Sequence, residues 1–421
     1  MNPASSRLYF LDWVRIIAFL VLILYHVGMY YVSWDWHVKS PNAGDTLEPF
    51  MMLSSPWRLS LLFLISGVAS SFMLGKVGAA SFMRQRSVRL LVPLVFGMFV
   101  IVPPQAYFEV IEKVAYQGSY ADFMRLYVQG YGGFCRVADC LDLPTWNHLW
   151  FVAYLWIYTL VLGAVVLVLG PRIDALSRKV VGWLTGWRLI ALPALVLGAV
   201  RVALLSRFPV THGLFDDWYN HATSLPIFLL GAILGRAGNF TGSAWQRFER
   251  ARWTALGLAL ASWAAVVVFN SLPESVTLDP YFEAWRMMMR MIYMLCAWNA
   301  IVAVCGFAHR HLQRDNAARA YLTEAVFPVY ILHQTLIVSI AHLIKPAKLA
   351  PGPEGMILIV LTLTISFGVF EVVRRVALLR PFFGLGMRRP ASTSAKETVA
   401  CPVRMPVDAD PSIAIGHAVK S

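Results

Sequence analysis

The stretch RIIAFLVLILYH, Arg15 to His26, holds an arginine and a histidine at the two ends of ten uncharged residues. A charged side chain at mid-bilayer depth costs at least about 2.5–3.5 kcal/mol on insertion scales, so ionisable groups in so apolar a run point to function. Eleven positions along a helix make about three turns, which puts both side chains on one stripe, roughly 16 Å apart along the axis. That stripe presents a cation near one membrane interface and an imidazole deep in the apolar layer. An imidazole titrates near neutral pH and can take a proton from a bound hydroxyl. Each residue also has a plainer reading: His26 as a packed, hydrogen-bonded side chain, Arg15 as an interfacial anchor. Asp12, one turn before Arg15, can hold it as an i,i+3 pair.

A second cluster lies in RQRSVRLLVP. Arg86 and Arg89 are three apart and share a helix face at the mouth of an apolar span. Basic residues at such a place follow from topology alone, but a same-face pair leading into the bilayer can also clamp phosphate groups, which arginine does bidentately. A nucleotide-containing ligand fits. FLISGVASS places Ser66, Gly67, Ser70 and Ser71 in one span, a composition that usually means close helix packing. Arg201 sits within another span. In YLTEAVFPVYILHQ, Glu324 and His333 are nine apart and fall on opposite faces, whereas Tyr330 and His333 share one. Glu371 reads as a local partner of Arg374 and Arg375. Aromatic belts account for the tryptophans of SWDWHVKSP and NHLWF, but not for His37 and His148. The chain carries no H-E-x-x-H, no paired C-x-x-C and no phosphate loop, so no metal site is expected.

Positioning these residues requires membrane helices, and the composition supplies them. The chain has 421 residues, 58% hydrophobic and 14% charged, with a mean hydropathy of +0.61; a soluble domain is about a quarter charged. The net charge of +13 would suggest nucleic acid in a soluble protein. Here the bases cluster in short connections such as Lys76 to Arg89, the positive-inside pattern, and no nucleic-acid partner is expected. The apolar runs predict an all-α, polytopic bundle of about ten transmembrane helices, near 8–32, 56–75, 90–110, 147–169, 188–206, 222–236, 253–270, 287–307, 321–344 and 354–376. Alternating basic and acidic connections place both termini in the cytoplasm. The first run is too long for a signal-peptide core and no small-residue cleavage pattern follows it, so it reads as a span. Residues 1–380 form the membrane domain, and 381–421, with RRPASTSAKE, read as a disordered basic cytoplasmic tail. Cys296 and Cys305 read as packing residues. Cys135 and Cys140 share an outer loop, as free thiols or as a short disulfide if the compartment is oxidising.

YFLDWVRIIAFLVLILYH, LFLISGVAS, RSVRLLVP, HLWFVAYLW and EAVFPVYILHQ occur in this order across nearly the whole chain. Together they resemble acyltransferase family 3, the integral membrane O-acyltransferases. The arginine–ten residues–histidine and R-x-x-R motifs are that family's most specific features, and both are intact. WHVKS, with no appended hydrolase-like domain, looks most like the family's glucan-succinylating subgroup. The resemblance implies a multi-pass protein of the bacterial inner membrane. It would move an acetyl or succinyl group from cytoplasmic acyl-CoA, the co-substrate, to a hydroxyl of an extracytoplasmic carbohydrate such as a glucan or exopolysaccharide. Carried over residue by residue, His26 and Arg15 are the catalytic pair, and Arg86 and Arg89 contact the CoA. His37, His148, Arg201 and His333 are candidates for the sugar-facing side. The alternative is a transporter or flippase for a carbohydrate or lipid-linked precursor, since intramembrane Arg and His suit a substrate pathway as well.

Overall fold

The computed structural model describes residues 8–387 except 137–138, 242 and 278; the tail expected from its composition lies, from 388 onward, outside the described residues. The fold is a helical bundle. Among the described residues, eight helices are long and apolar enough to cross a membrane, and the pair Ala79–Ile101 and Pro103–Val114 makes a ninth when counted as one span. The remaining expected span, the sixth at 222–236, falls in the helix Trp218–Thr241. It is not among the eight, because its apolar run is short and flanked by Asn220, His221 and Arg236.

The first helix, Tyr9–Tyr31, has no proline and no glycine before Gly28, and carries Asp12 in its first turn, where the helix dipole favours an acid. It packs against Ala317–Ile344 and Glu283–His311 at the centre of the bundle. The chain bends by 42° between Ala79–Ile101 and Pro103–Val114. The cause is local: Gly97–Ile101 is wound as a π-helix, and Pro103 and Pro104 follow without backbone N–H groups to continue the ladder. Beyond the bend, a smaller apolar cluster of Ala106, Val110, Phe123, Tyr127 and Phe134 carries the hairpin Cys135–Arg136 and Asp139–Cys140. Its two cysteines are disulfide-bonded, which decides between the two readings left open above.

Two helices meet backbone to backbone. Arg58–Val77 and Trp218–Thr241 pack through Gly67 and Gly231, where a β-carbon would sit 1.9 Å from the Phe228 carbonyl oxygen and 2.0 Å from that of Leu64. Gly235, one turn on, completes a small-xxx-small stripe of the kind that lets membrane helices approach. Gly231→Leu should therefore lower the detergent-extracted protein's stability by at least the ~1–3 kcal/mol typical of overpacking, because backbone rather than a side chain must yield. Gly257→Leu, where nothing lies within 4 Å, should leave it unchanged. Thermal unfolding of the two variants checks this; equal midpoints would mean the contact is not structural.

Candidate active site

His26 projects from the last third of the first helix into a cavity of about 460 Å³. Its Nδ1 lies 2.8 Å from Nε2 of His333, whose own Nδ1 lies 2.6 Å from the Tyr330 carbonyl oxygen. These contacts fix the protons. A carbonyl only accepts, so His333 Nδ1–H donates to Tyr330, and in a neutral ring His333 Nε2 must accept. His26 Nδ1–H therefore donates to His333, which leaves His26 Nε2 as a lone pair. That nitrogen has no hydrogen-bond partner among the described residues. His333 is fully buried while His26 is part-exposed to the cavity. The arrangement has the logic of a base oriented by a second group that is itself held by a third.

The other polar walls are tied down. His148 Nε2–H donates to the Ile331 carbonyl at 3.1 Å, and the His148 carbonyl accepts from the Tyr330 hydroxyl at 2.5 Å. His37 Nδ1–H donates to Glu109 at 2.5 Å, and His37 Nε2 accepts from the Gln334 amide at 2.9 Å. Lys113 balances Glu109 at 2.9 Å and Asp35 at 2.8 Å. The loop bearing Thr211 and His212 closes one side: buried Asp217 accepts from Tyr154 at 2.7 Å and from the His212 backbone at 2.9 Å. His212 stacks on Trp150 with centroids 4.5 Å apart, and burial pushes its imidazole below the usual histidine range, towards the neutral form. Arg58, the first residue of its helix, also lines this cavity.

A second cavity of about 470 Å³ gathers Arg15, Arg86, Arg89 and Arg380 with Ser66, Ser70 and Glu324. Arg15 pairs with Asp12 at 3.7 Å, while Asp12 also holds buried Arg319 at 2.5 Å. Arg380 is neutralised by Glu324 at 3.1 Å. Arg89 Nε donates to the Gly384 carbonyl at 3.0 Å, so part of its fork is already used. Arg86 Nε is buried and has no hydrogen-bond partner among the described residues. Phe151 and Tyr330 line both cavities, with ring centroids 6.2 Å apart. The two spaces thus share these two side chains as a common wall.

The expected residues fall into three groups. His26, His37, His148 and His333 converge around the histidine cavity, His333 as the support of His26 rather than as a lining group. Arg15 joins Arg86 and Arg89 in the arginine cavity, so the Arg15–His26 pair is divided between the two spaces instead of sharing one. Arg201 enters neither: it donates to the Tyr219 hydroxyl and lies 4.0 Å over the Tyr293 ring. Arg58, Gln105, Glu109 and Arg380 do not stand out in the sequence: Arg58 and Glu109 sit near the ends of expected spans and Arg380 just beyond the last, where polar residues are ordinary, and Gln105 is a lone uncharged amide. The pairs of Glu371 with Arg374 at 3.0 Å and Arg375 at 2.8 Å are present as expected. Among the described residues, no three His, Cys, Asp or Glu side chains group as metal ligands.

Known proteins resemble this sequence over most of its length. A family described as an acyltransferase domain covers residues 8–371. Glucans biosynthesis protein C of Escherichia coli O139:H28 (strain E24377A / ETEC) is 22% identical, over 91% of this chain and 96% of that protein. The protein of the same name from Escherichia coli (strain K12) is 21% identical over the same shares. No solved structure matches. With a match that begins at the first helix and takes in both cavities' motifs, the chain belongs to acyltransferase family 3 and is a membrane acyltransferase.

Proposed function

We propose that the protein takes an acyl group, acetyl or succinyl, from cytoplasmic acyl-CoA and transfers it to a hydroxyl of a carbohydrate outside the bacterial inner membrane. A glucan or exopolysaccharide is the acceptor class, in keeping with the name of the glucan biosynthesis relatives. The observation that carries this reading is the pair of cavities meeting at Phe151 and Tyr330. Three arginines, Arg15, Arg86 and Arg89, suit the phosphates of CoA, and a histidine with a free Nε2 suits a hydroxyl that must lose its proton. With Trp218–Thr241 as a tenth span and both termini cytoplasmic, the arginine cavity faces the cytoplasm and the histidine cavity the outside. Arg15, Arg86 and Arg89 then hold the donor, His26 is the base, His333 orients it, and His37 and His148 shape the acceptor side. Direct transfer then needs the thioester end of the donor to pass between Phe151 and Tyr330 to reach His26.

The test supplies acetyl-CoA and succinyl-CoA, each radiolabelled in its acyl group, to membranes containing the protein and cell-envelope carbohydrate. Label appearing in carbohydrate establishes the reaction and the preferred donor. A second reading shares one observation, because two polar cavities with a common wall also suit alternating access in a transporter. No incorporation from either donor, with carbohydrate moving across the membrane, would favour that reading.

A further inference from the structure

Arg58 is 4% exposed and lines the histidine cavity. Its guanidinium carbon lies 3.3 Å over the ring of Tyr25, the residue next to His26. Its hydrogen bonding is sparse: NH1 reaches Ser54 Oγ at 3.4 Å, and Nε is buried without a partner. No carboxylate pairs with it among the described residues: Asp35, the acid that lines the cavity, is held by Lys113, Glu109 by His37 and Lys113, and Asp217 by Tyr154 and the His212 backbone. Burying a cation without a counter-ion is costly, and the chain could have avoided it with a hydrophobic residue of similar size. Such a cation is compensated once an anion arrives in the cavity.

We propose that Arg58 is the oxyanion site of the acyl transfer, an inference that rests on the function proposed above. The acceptor hydroxyl oxygen bonds to the thioester carbon while its proton passes to His26 Nε2. The carbonyl π pair moves onto oxygen, and Arg58 holds that negative charge. When the carbonyl re-forms, the C–S bond breaks, and the CoA thiolate leaves with the proton that His26 returns. Ester and free CoA are the products. A preorganised cation in a water-poor site acts on the charge that develops in the transition state, not on the neutral thioester, so its effect belongs in kcat.

The experiment measures kcat and KM for acetyl-CoA and succinyl-CoA in wild type, Arg58→Met and Arg58→Lys, with cell-envelope carbohydrate as acceptor. Methionine fills the space without a charge and leaves nothing buried and unpaired, so the fold should hold; CoA binding at the arginine cavity reports this. The expected result is a loss in kcat of about 10²–10³-fold in Arg58→Met with both donors, at nearly unchanged KM. Arg58→Lys should recover much of it by restoring the charge. Wild-type kcat in Arg58→Met overturns the proposal. So does a loss confined to succinyl-CoA and read in KM, which would make Arg58 an anchor for the acyl carboxylate. Equal losses in the two folded variants also overturn it, as a merely structural role. If wild type transfers label from neither donor, the acyl-CoA reading itself fails, an outcome separate from an active Arg58→Met.

Discussion

His26→Ala should reduce acyl transfer by about 10²–10⁴-fold, the usual range for a general base, while acyl-CoA still binds. The geometry makes both halves of this expectation specific. His26 Nε2 is the one ring nitrogen in the Tyr330–His333–His26 chain with no assigned partner, so the alanine variant removes the proton acceptor itself. The donor phosphates, in the proposed scheme, sit beyond Phe151 and Tyr330, out of reach of the lost imidazole. His333→Ala should be milder, because His26 keeps its nitrogen and loses only its orientation and tautomer. A pH–rate profile separates the two roles: His333→Ala should shift the profile of the residual activity, whereas His26→Ala should flatten its basic-group limb. Transfer by folded His26→Ala within a few-fold of wild type, far from the decades expected of a lost base, would remove His26 from the chemistry.

Much of this was legible because membrane helices are long and their periodicity is regular. The spacing of Arg15 and His26 already required two depths on one stripe, and the structure puts a different cavity at each depth. Of the small residues around Gly67 that read as a close packing face, Gly67 and Ser71 make that contact, while Ser66 and Ser70 line the arginine cavity. What escaped were relations between helices. Tyr330 and His333 could be placed on one face from sequence, but nothing in a single chain says that this face meets His26 across 307 positions. The π-helical turn at Gly97–Ile101 lies inside a continuous apolar run, where a one-residue change of helical register leaves no trace, and only Pro103 and Pro104 mark the bend in the sequence. Arg201 shows the opposite error. Depth within a span made it a candidate, yet depth says nothing about rotation, and its helix turns it towards Tyr219 and Tyr293.

The arginine cavity yields the second large effect, and there the two members of the R-x-x-R pair are unequal. Arg89 is exposed and already donates from Nε to the Gly384 carbonyl, whereas Arg86 Nε is buried and unused. A charge-assisted hydrogen bond is worth about 1.5–3 kcal/mol, so losing one to phosphate should raise the acyl-CoA KM by about 10–150-fold. Arg86→Ala should lie towards the top of that range and Arg89→Ala towards the bottom. In both, kcat at saturating donor should change little, since binding made equally in ground and transition states moves KM alone. The fold should tolerate Arg86→Ala, because Arg86 has no partner acid among the described residues to be orphaned. An acyl-pantetheine thioester, which lacks the nucleotide phosphates, supplies the control. Wild type should strongly prefer acyl-CoA over it, and Arg86→Ala should erase much of that preference, because the deleted arginine and the deleted phosphates report the same contact. If KM for acyl-CoA stays at the wild-type value in both variants, the pair only orients the helix in the membrane, and the donor is held elsewhere.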